Sequence, residues 1–290
     1  MAEANPFVKK SIERSVQDLP ALPTIVARIL KETESPDANA QTIERMIGSE
    51  QALASKVLRV VNSAYYGLSG QVTSLQQAIV ILGMQQVRNL VLSVSAISSI
   101  KPRTPRQHET MKQFWLHSFG TAAATQIIAK RKNFRVQDME TAFVGGLLHD
   151  IGRLFLFCNF TQTYDQVIKY AEQKKLSVES AELKLLGLCH SEVGSQMAEQ
   201  WKLPSNLVKM IAAHEGPFVD ENSDPMIYAL TIADWITKDL YFSPEMVECS
   251  TPPEFVFTWL NFTPEELDSL KEETNQRIED AQQLFGLLAA

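Results

Sequence analysis

Four of the five histidines in this chain, His117, His149, His190 and His214, fall inside helical apolar patterns rather than in loops. Imidazoles and carboxylates together are the ligands of borderline and hard divalent ions, so the chemistry turns on whether these side chains meet. His117 comes three residues after Phe114 and four before Thr121, on one face of a helix. His214 lies seven residues after Leu207 and three after Ile211, which turns it inward. Asp234 follows Leu230 by four residues in an otherwise apolar helix. A lone carboxylate there loses much of its hydration, or takes up a proton, unless a bound cation or an Arg or Lys stands beside it.

The most informative stretch is GGLLHDIGRL (145–154), where His149 and Asp150 are adjacent in a run that reads as buried helix. Neighbouring helix residues point about 100° apart, so the pair cannot face one packed partner together. Both reach an ion at the edge of the helix if other helices complete its shell, and His117 and Asp234 are the natural completers. A mixed His/Asp set suits Mn, Fe, Zn or Mg, and the lack of thiolates disfavours a cysteine-type structural Zn site. His190 and His214 are candidates for a second ion; two ions a few ångströms apart are the usual apparatus for attacking phosphate esters. The competing reading of each histidine is a satisfied core or surface residue.

Helices must position these groups, and helical spacing dominates almost the whole chain. In TIVARILKE, Ile25, Val26, Ile29 and Leu30 form a one-sided stripe. Pro20 and Pro23 stand just ahead, where a missing amide hydrogen costs a helix nothing. ALASKVLRVVNSAYYG repeats the stripe through Leu53, Val57, Val60 and Val61, with Gly67 as a stop. Ser74 and Gln77 predict a capping-box start for SLQQAIVILG, and another long apolar helix follows Gly83 over residues 84–100. KPRTPRQ (101–107), with two prolines and three basic residues, breaks the periodicity and marks a subdomain boundary. Helices resume through ETMKQFWLHSFGTAAATQIIAKR, QDMETAFVGGLLHDIG and TYDQVIKYAEQKK, and continue as far as MIYALTIADWITKDL. Thr263-Pro264-Glu265-Glu266 opens the last helix with a capping box; its acidic sequence reads as a solvated cap or as a partner-facing helix. No alternating strand pattern and no fixed-period repeat is present, so the predicted fold class is all-α.

The 290 residues, 45% hydrophobic and 21% charged, suffice for one large domain or two modest ones. A net charge of −7 repels polyphosphate backbones, so nucleic acid is not an expected partner. Lys130, Arg131, Lys132 and Arg135 form a local basic spot, read as a solvated helix end. Three scattered cysteines (Cys158, Cys189, Cys249) without CxxC spacing fit a reducing compartment, not a disulfide framework. MAEANPFVKK lacks the apolar run of a signal peptide, and NLVLSVSAISSI is shorter than the about 20 residues of a membrane span. A cytoplasmic protein with no membrane association is expected.

Taken in order, His117, His149-Asp150 and Asp234 resemble the H…HD…D signature of the HD superfamily of metal-dependent phosphohydrolases. Over residues 15–239 the chain more closely resembles its HDOD branch. The motifs that carry the resemblance are DLPALP (18–23), SEQALASKVLRVVNSAYYGL (49–68), VTSLQQAIVILGMQQVRNLVLSV (72–94), FWLHS (114–118), AFVGGLLHDIGRL (142–154), CHSEVGSQMAEQWKLP (189–204) and IAAHEGP (211–217). It implies an N-terminal helical subdomain (15–100) packed on an HD-like helical core (107–239), with residues 250–290 as a C-terminal helical extension. It also implies a divalent ion (Fe, Mn, Mg or Zn) at His117, His149, Asp150 and Asp234. His190 and His214 match positions that serve a second ion in the related HD-GYP phosphodiesterases. Where those relatives read HHE this chain reads Ala213-His214-Glu215, and HEGPF lacks the GYP element, which argues against cyclic-di-GMP hydrolysis. The lysine of their HDxGK motif is Arg153 here; arginine keeps the charge and gains a bidentate fork for phosphate.

Two functions compete. The favoured one is a bacterial signal-transduction module whose output surfaces engage a separate receiver, kinase or cyclic-di-GMP component. The N-terminal bundle carries no catalytic pattern, and Tyr65 and Tyr66, beside Asn62 and Ser63, are either a contact patch or ordinary interhelical packing. The chain shows no receiver, cyclase or DNA-binding motif of its own, so the expected partner is another protein. The alternative is a metal-dependent phosphohydrolase in which Asp150 holds the ion and orients an acidified water, while Arg153 binds substrate oxygens. A helical scaffold with no site at all would leave Asp234 unexplained.

Overall fold

The computed structural model describes residues 6–20, 22, 26, 28–29, 32, 39–48, 50–62, 68, 70–216, 224–240 and 252–288. Pro23, Ile25, Leu30, Ser63, Tyr65, Tyr66, Gly67, Pro217 and Cys249 lie outside them. Among the described residues there are helices and connections but no strand, the all-α class that the periodicity predicts. The chain divides into two compact units, Met1–Leu19 with Lys101–Asn275, and Pro20–Ile100 with Gln276–Ala290.

The first helix, α1 (Pro6–Gln17), buries Ile12 and Val16. It belongs to the unit that holds the histidines: Gln200 Nε2 donates to the Gln17 and Leu19 carbonyls at 3.0 and 3.1 Å. These bonds satisfy carbonyls that a helix end leaves without intrahelical donors.

The second unit contains α2 (Ala40–Gly48), α3 (Gln51–Val61), α4 (Leu75–Leu82) and α5 (Met84–Ser99). Ile43, Ile47, Val57, Val61, Ala78 and Val87 are among its fully buried apolar side chains. Asn62 closes α3 by bonding both ways to Val72, accepting from its N–H at 2.6 Å and donating to its carbonyl at 2.7 Å. Ser74 caps α4 by accepting from the Gln77 N–H at 3.1 Å. The return bond differs from the predicted box, because the Gln77 carboxamide oxygen accepts from Thr73 N–H at 3.0 Å.

In the first unit, α6 (Pro105–Arg131) starts on Thr104, whose hydroxyl accepts from Gln107 N–H at 3.2 Å, with proline in the first turn. Its middle, SFGTAAAT, is buried all round, and these small side chains let neighbouring backbones come close. The remaining helices are α7 (Val136–Leu148), α8 (Ile151–Asn159), α9 (Thr161–Lys174), α10 (Val178–Leu186), α11 (His190–Gln200), α12 (Ser205–Ala213), α13 (Pro225–Leu240), α14 (Glu254–Leu260) and α15 (Pro264–Leu288). The main packing partners of α6 are α7 and α13, and those of α11 are α8 and α12. The stretch Thr141–Asn159 is long and apolar enough to cross a membrane by length and composition alone, but 94% of its most apolar window is buried inside the fold.

The continuous helix expected over GGLLHDIGRL is interrupted. Helix α7 ends at Leu148, and α8 begins at Ile151. Asp150, at φ −96° and ψ 13°, departs from helical geometry and leaves the pair at a turn between two helix ends.

The basic spot is not a free solvated helix end. Lys132 Nζ donates to the carbonyls of Trp259 and Leu260 at 2.9 and 3.2 Å, at the C-terminus of α14. Arg131 reaches Glu266, Ser269 and Glu273 on α15. Val256, Leu260 and Leu270 join a core with Ala124, Ile128, Tyr228, Ile232 and Ile236, so the start of the C-terminal extension packs into the histidine-bearing unit. Lys130 and Arg135, the latter paired with Asp138 at 2.7 Å, are as exposed as the sequence implied.

Candidate metal centre

Two glycines set how closely the helices approach. A Cβ on Gly146 would lie 2.5 Å from the Ala122 Cα, and one on Gly152 would lie 2.1 Å from the His190 carbonyl oxygen. Only hydrogen fits at either point, so α7 presses onto α6 near His117, and α8 onto the start of α11 at His190. The His149–Asp150 turn lies between those two contacts.

Around it, every candidate ligand converges. His117 Nε2 is 3.2 Å from His149 Nε2 and 3.1 Å from Asp234 Oδ1, and His149 Nε2 is 3.4 Å from that same oxygen. Asp150 Oδ2 is 3.8 Å from His117 Nε2, 3.6 Å from His149 Nε2 and 3.2 Å from Arg153 Nη1. Its other oxygen, Oδ1, faces His190 Nε2 at 3.2 Å and His214 Nε2 at 3.4 Å. One carboxylate therefore spans two sets of imidazoles. All six side chains are buried, none more than 2% exposed.

Hydrogen bonds outside the cluster fix three of the rings. His149 Nδ1 lies 2.7 Å from the Gly146 carbonyl, His214 Nδ1 2.8 Å from the Ile211 carbonyl, and His190 Nδ1 2.7 Å from Glu182 Oε2. Those acceptors assign the proton to Nδ1 and leave the Nε2 lone pair pointing into the centre. Glu182 is itself held, accepting from the Tyr164 hydroxyl at 2.6 Å and from the His190 N–H at 2.8 Å.

Glu182, Glu215 and Lys238 were not singled out in the sequence. Lys238 Nζ bridges Asp234 Oδ2 at 2.6 Å and Glu215 Oε1 at 2.8 Å, and Glu215 Oε2 is 3.6 Å from His190 Nε2. Signals for two of them existed: Lys238 is one helical turn after Asp234, and Glu182 lies on the stripe of Val178 and Leu186. Glu215 directly follows His214 beyond the end of α12, and no helical stripe marks it.

The electrostatics follow from burial and these neighbours. Burial raises the Asp150 carboxyl, but Arg153 and His149 override it and hold the group well below its ordinary range. Burial likewise opposes ionisation of Asp234 and Glu215, and Lys238 overrides it in both; Glu215 falls to about 2. Burial lowers the imidazoles. It prevails at His117, whereas Asp150 and Asp234 bring His149 above its ordinary value. At His190, Glu182 and Glu215 overcome burial by a wide margin.

A divalent ion fits this arrangement. Ligands about 2.1 Å from an ion in tetrahedral or octahedral geometry lie about 3.0–3.4 Å from one another, the spacing of most pairs here. His117 Nδ1, Asp150 Oδ1, His190 Nε2, His214 Nε2 and Asp234 Oδ1 are buried without a hydrogen-bond partner. Such groups are costly unless something satisfies them, and four of these five atoms point at the cluster. Three groupings of these side chains have the geometry to hold a metal ion, one of which includes Glu215.

The fold and site together define an all-helical protein with an HD-type histidine–aspartate centre. The chain belongs to the HDOD domain family, whose model matches residues 19–217. It is 25% identical over 235 residues to an uncharacterized protein of Treponema pallidum (strain Nichols), covering 79% of this chain and 44% of that one. It is 27% identical over 158 residues to the cyclic di-GMP phosphodiesterase CdgJ of Vibrio cholerae, covering 54% of this chain and 34% of CdgJ. The chain thus spans less than half the length of these curated relatives. Among solved structures, a phosphohydrolase candidate from Shewanella amazonensis SB2B superposes with a TM-score of 0.71 at 24% identity, covering 96% of this chain and 98% of that one. An HDOD domain protein with unknown function from Geobacter sulfurreducens gives 0.69 at 23%, covering 96% and 92%. At these identities the structures show a shared fold.

Proposed function

We propose that this HDOD protein is a signal-transduction module. Its HD centre holds a divalent ion that ties α6, α13 and the turn between α7 and α8 together, and its output passes through a protein partner. The observation that carries the reading is the convergence of His117, His149, Asp150 and Asp234 within 3.1–3.8 Å, fully buried and with unsatisfied ligand atoms. Ligands this buried suit an ion that stabilises a state of the fold better than one that turns over a phosphoester arriving from solvent. The second unit supplies apolar surface for a partner: Val80 is 76% exposed and Ile81 46%. A receiver, kinase or cyclic-di-GMP component is the class of partner that fits, the matched relative CdgJ being a cyclic di-GMP phosphodiesterase.

A second reading, a metal-dependent phosphohydrolase, has one observation in its favour. The two oxygens of Asp150 face separate imidazole sets, as a bridging ligand between two ions would. A bound ion would supply an acidified water there. Asp150 would orient that water, and Arg153, 8% exposed, would hold the phosphate oxygens.

Elemental analysis of untagged protein, set beside His149→Ala and Asp150→Ala, tests the ion; we expect metal in the parent and loss in both variants. A panel of phosphomonoesters, phosphodiesters and cyclic di-GMP with added Mn or Fe tests the chemistry. Turnover abolished by Asp150→Ala would replace the regulatory reading with the hydrolase. For the output arm, a partner captured by the parent should be released by Val80→Asp with Ile81→Asp.

A further inference from the structure

Beside the four-residue site lies a second ligand set that mixes expected and unexpected members: Asp150 Oδ1, His190 Nε2, His214 Nε2 and Glu215 Oε2. His190 Nε2 and His214 Nε2 stand 3.2 and 3.4 Å from Asp150 Oδ1, the spacing of ligands around an ion, and Glu215 Oε2 is 3.6 Å from His190 Nε2. Yet the Glu215 carboxylate that would complete it is already engaged. Lys238 Nζ lies 2.8 Å from its Oε1 and 2.6 Å from Asp234 Oδ2, so one ammonium joins the carboxylates of both sets.

We infer that Lys238 takes the place of a second cation, so that the centre accepts one divalent ion and not two. This rests on the metal-holding reading above and specifies its stoichiometry.

Charge supports it. Asp150, Asp234, Glu215 and Glu182 bring four carboxylates to the centre, while the Arg153 guanidinium and the Lys238 ammonium, each paired with them, bring two cations. The remainder is neutralised by a single divalent ion. Glu179, part-buried beyond Glu215, is pushed up to about 7 by burial and by the Glu215 charge, and so adds only part of a charge at neutral pH. Either ion would share a carboxylate with the Lys238 ammonium, the first through Asp234 and the second through Glu215. The charge count leaves room for only one of them in a buried site that screens the repulsion poorly. Lys238 is itself only 7% exposed and has little water to retreat into. Geometry and charge thus separate what the ligand types alone do not: the second set has its donors, but its counter-charge is spent.

The test counts ions. Protein stripped by chelator is titrated with Mn²⁺ alone by calorimetry, and metal per chain is measured after gel filtration. The parent should bind one equivalent. Lys238→Met should bind two, the second on the order of a hundredfold or more tighter than any second equivalent in the parent. Lys238→Arg, which keeps the charge, should bind one. Lys238→Met combined with Glu215→Gln should lose the second equivalent and keep the first, which also shows that the variant still folds. Two equivalents in the parent, or one in Lys238→Met, would overturn the inference and leave the metal centre standing. No ion in any variant would overturn both.

Discussion

The Nε2 atoms of His117 and His149 stand 3.2 Å apart in the core, and the ring of His149 is already bonded through Nδ1 to the Gly146 carbonyl. Two nitrogen lone pairs at that distance repel unless a proton or a cation lies between them. The same pair is 3.1 and 3.4 Å from Asp234 Oδ1, so the cation has a carboxylate waiting for it.

Removing the ion should therefore cost stability. At a free-ion concentration about 1,000 times the dissociation constant, binding contributes about 4 kcal/mol to the folded state. Chelator should lower the melting temperature of the parent and leave that of His149→Ala nearly unchanged. A parent indifferent to chelator in a calorimetric scan would contradict an ion in this place.

The metal-free protein should lose stability as pH rises through neutrality. His190 and His149 have folded pKa values above 6.5, so the stability they contribute is complete below 6.5 and is lost as pH climbs through those values. Glu179, raised from 4.5 to about 7, works in the same direction. His117, lowered by burial, opposes them, losing stability as pH falls below 6.5. The depressed carboxyls of Asp150 and Asp234 hold their contribution down to strongly acid pH. Melting temperatures in chelator should thus fall as pH rises past 6.5, whereas metal affinity should rise in that direction because bound imidazoles must be deprotonated.

Glu182 should act through His190 on an ion held by the second ligand set, the one that Lys238→Met opens. It accepts from His190 Nδ1 at 2.7 Å and is anchored by Tyr164 at 2.6 Å, which fixes the imidazole's tautomer and direction. Glu182→Gln keeps the shape but removes the charge. A loss of about 10–100-fold is expected in the affinity for the second equivalent that Lys238→Met binds, the usual effect of such an outer partner. Equal affinities by titration would show that His190 does not contribute to binding.

Gly152→Ala should harm both fold and site. The added methyl meets the His190 carbonyl, which belongs to backbone and cannot swing aside. Overpacking of this kind costs about 1–3 kcal/mol or more, and here the strain is relieved only by moving His190 away from Asp150. Denaturant unfolding and metal titration of the variant measure the two effects separately.

Much of the architecture was legible along the chain because helical stripes repeat within a few residues. The boundary at Thr263 rests on a local hydroxyl cap, and the sites at His117, His214 and Asp234 follow from their place on apolar faces, whereas α6 starts at Pro105, inside the stretch 101–107 that reads as a break. The interruption at 149–150 was not legible. Its apolar flanks continue the helical period, and the bend depends on glycine contacts with Ala122 and His190 from other helices. The basic spot was misread for the same reason: its partners, Trp259, Leu260 and Glu266, lie more than 100 residues away.

By itself the sequence determined the helical class, the inward faces, and the types of ligand available to an ion. Tertiary structure alone decided that those ligands share one space, that Asp150 spans two of their sets, and that Lys238 lies between Asp234 and Glu215. The physical reason is range. Helix periodicity is set by bonds between residues a turn apart, whereas the position of a charge in a buried cluster depends on distances between segments whose order in the chain carries no record of them.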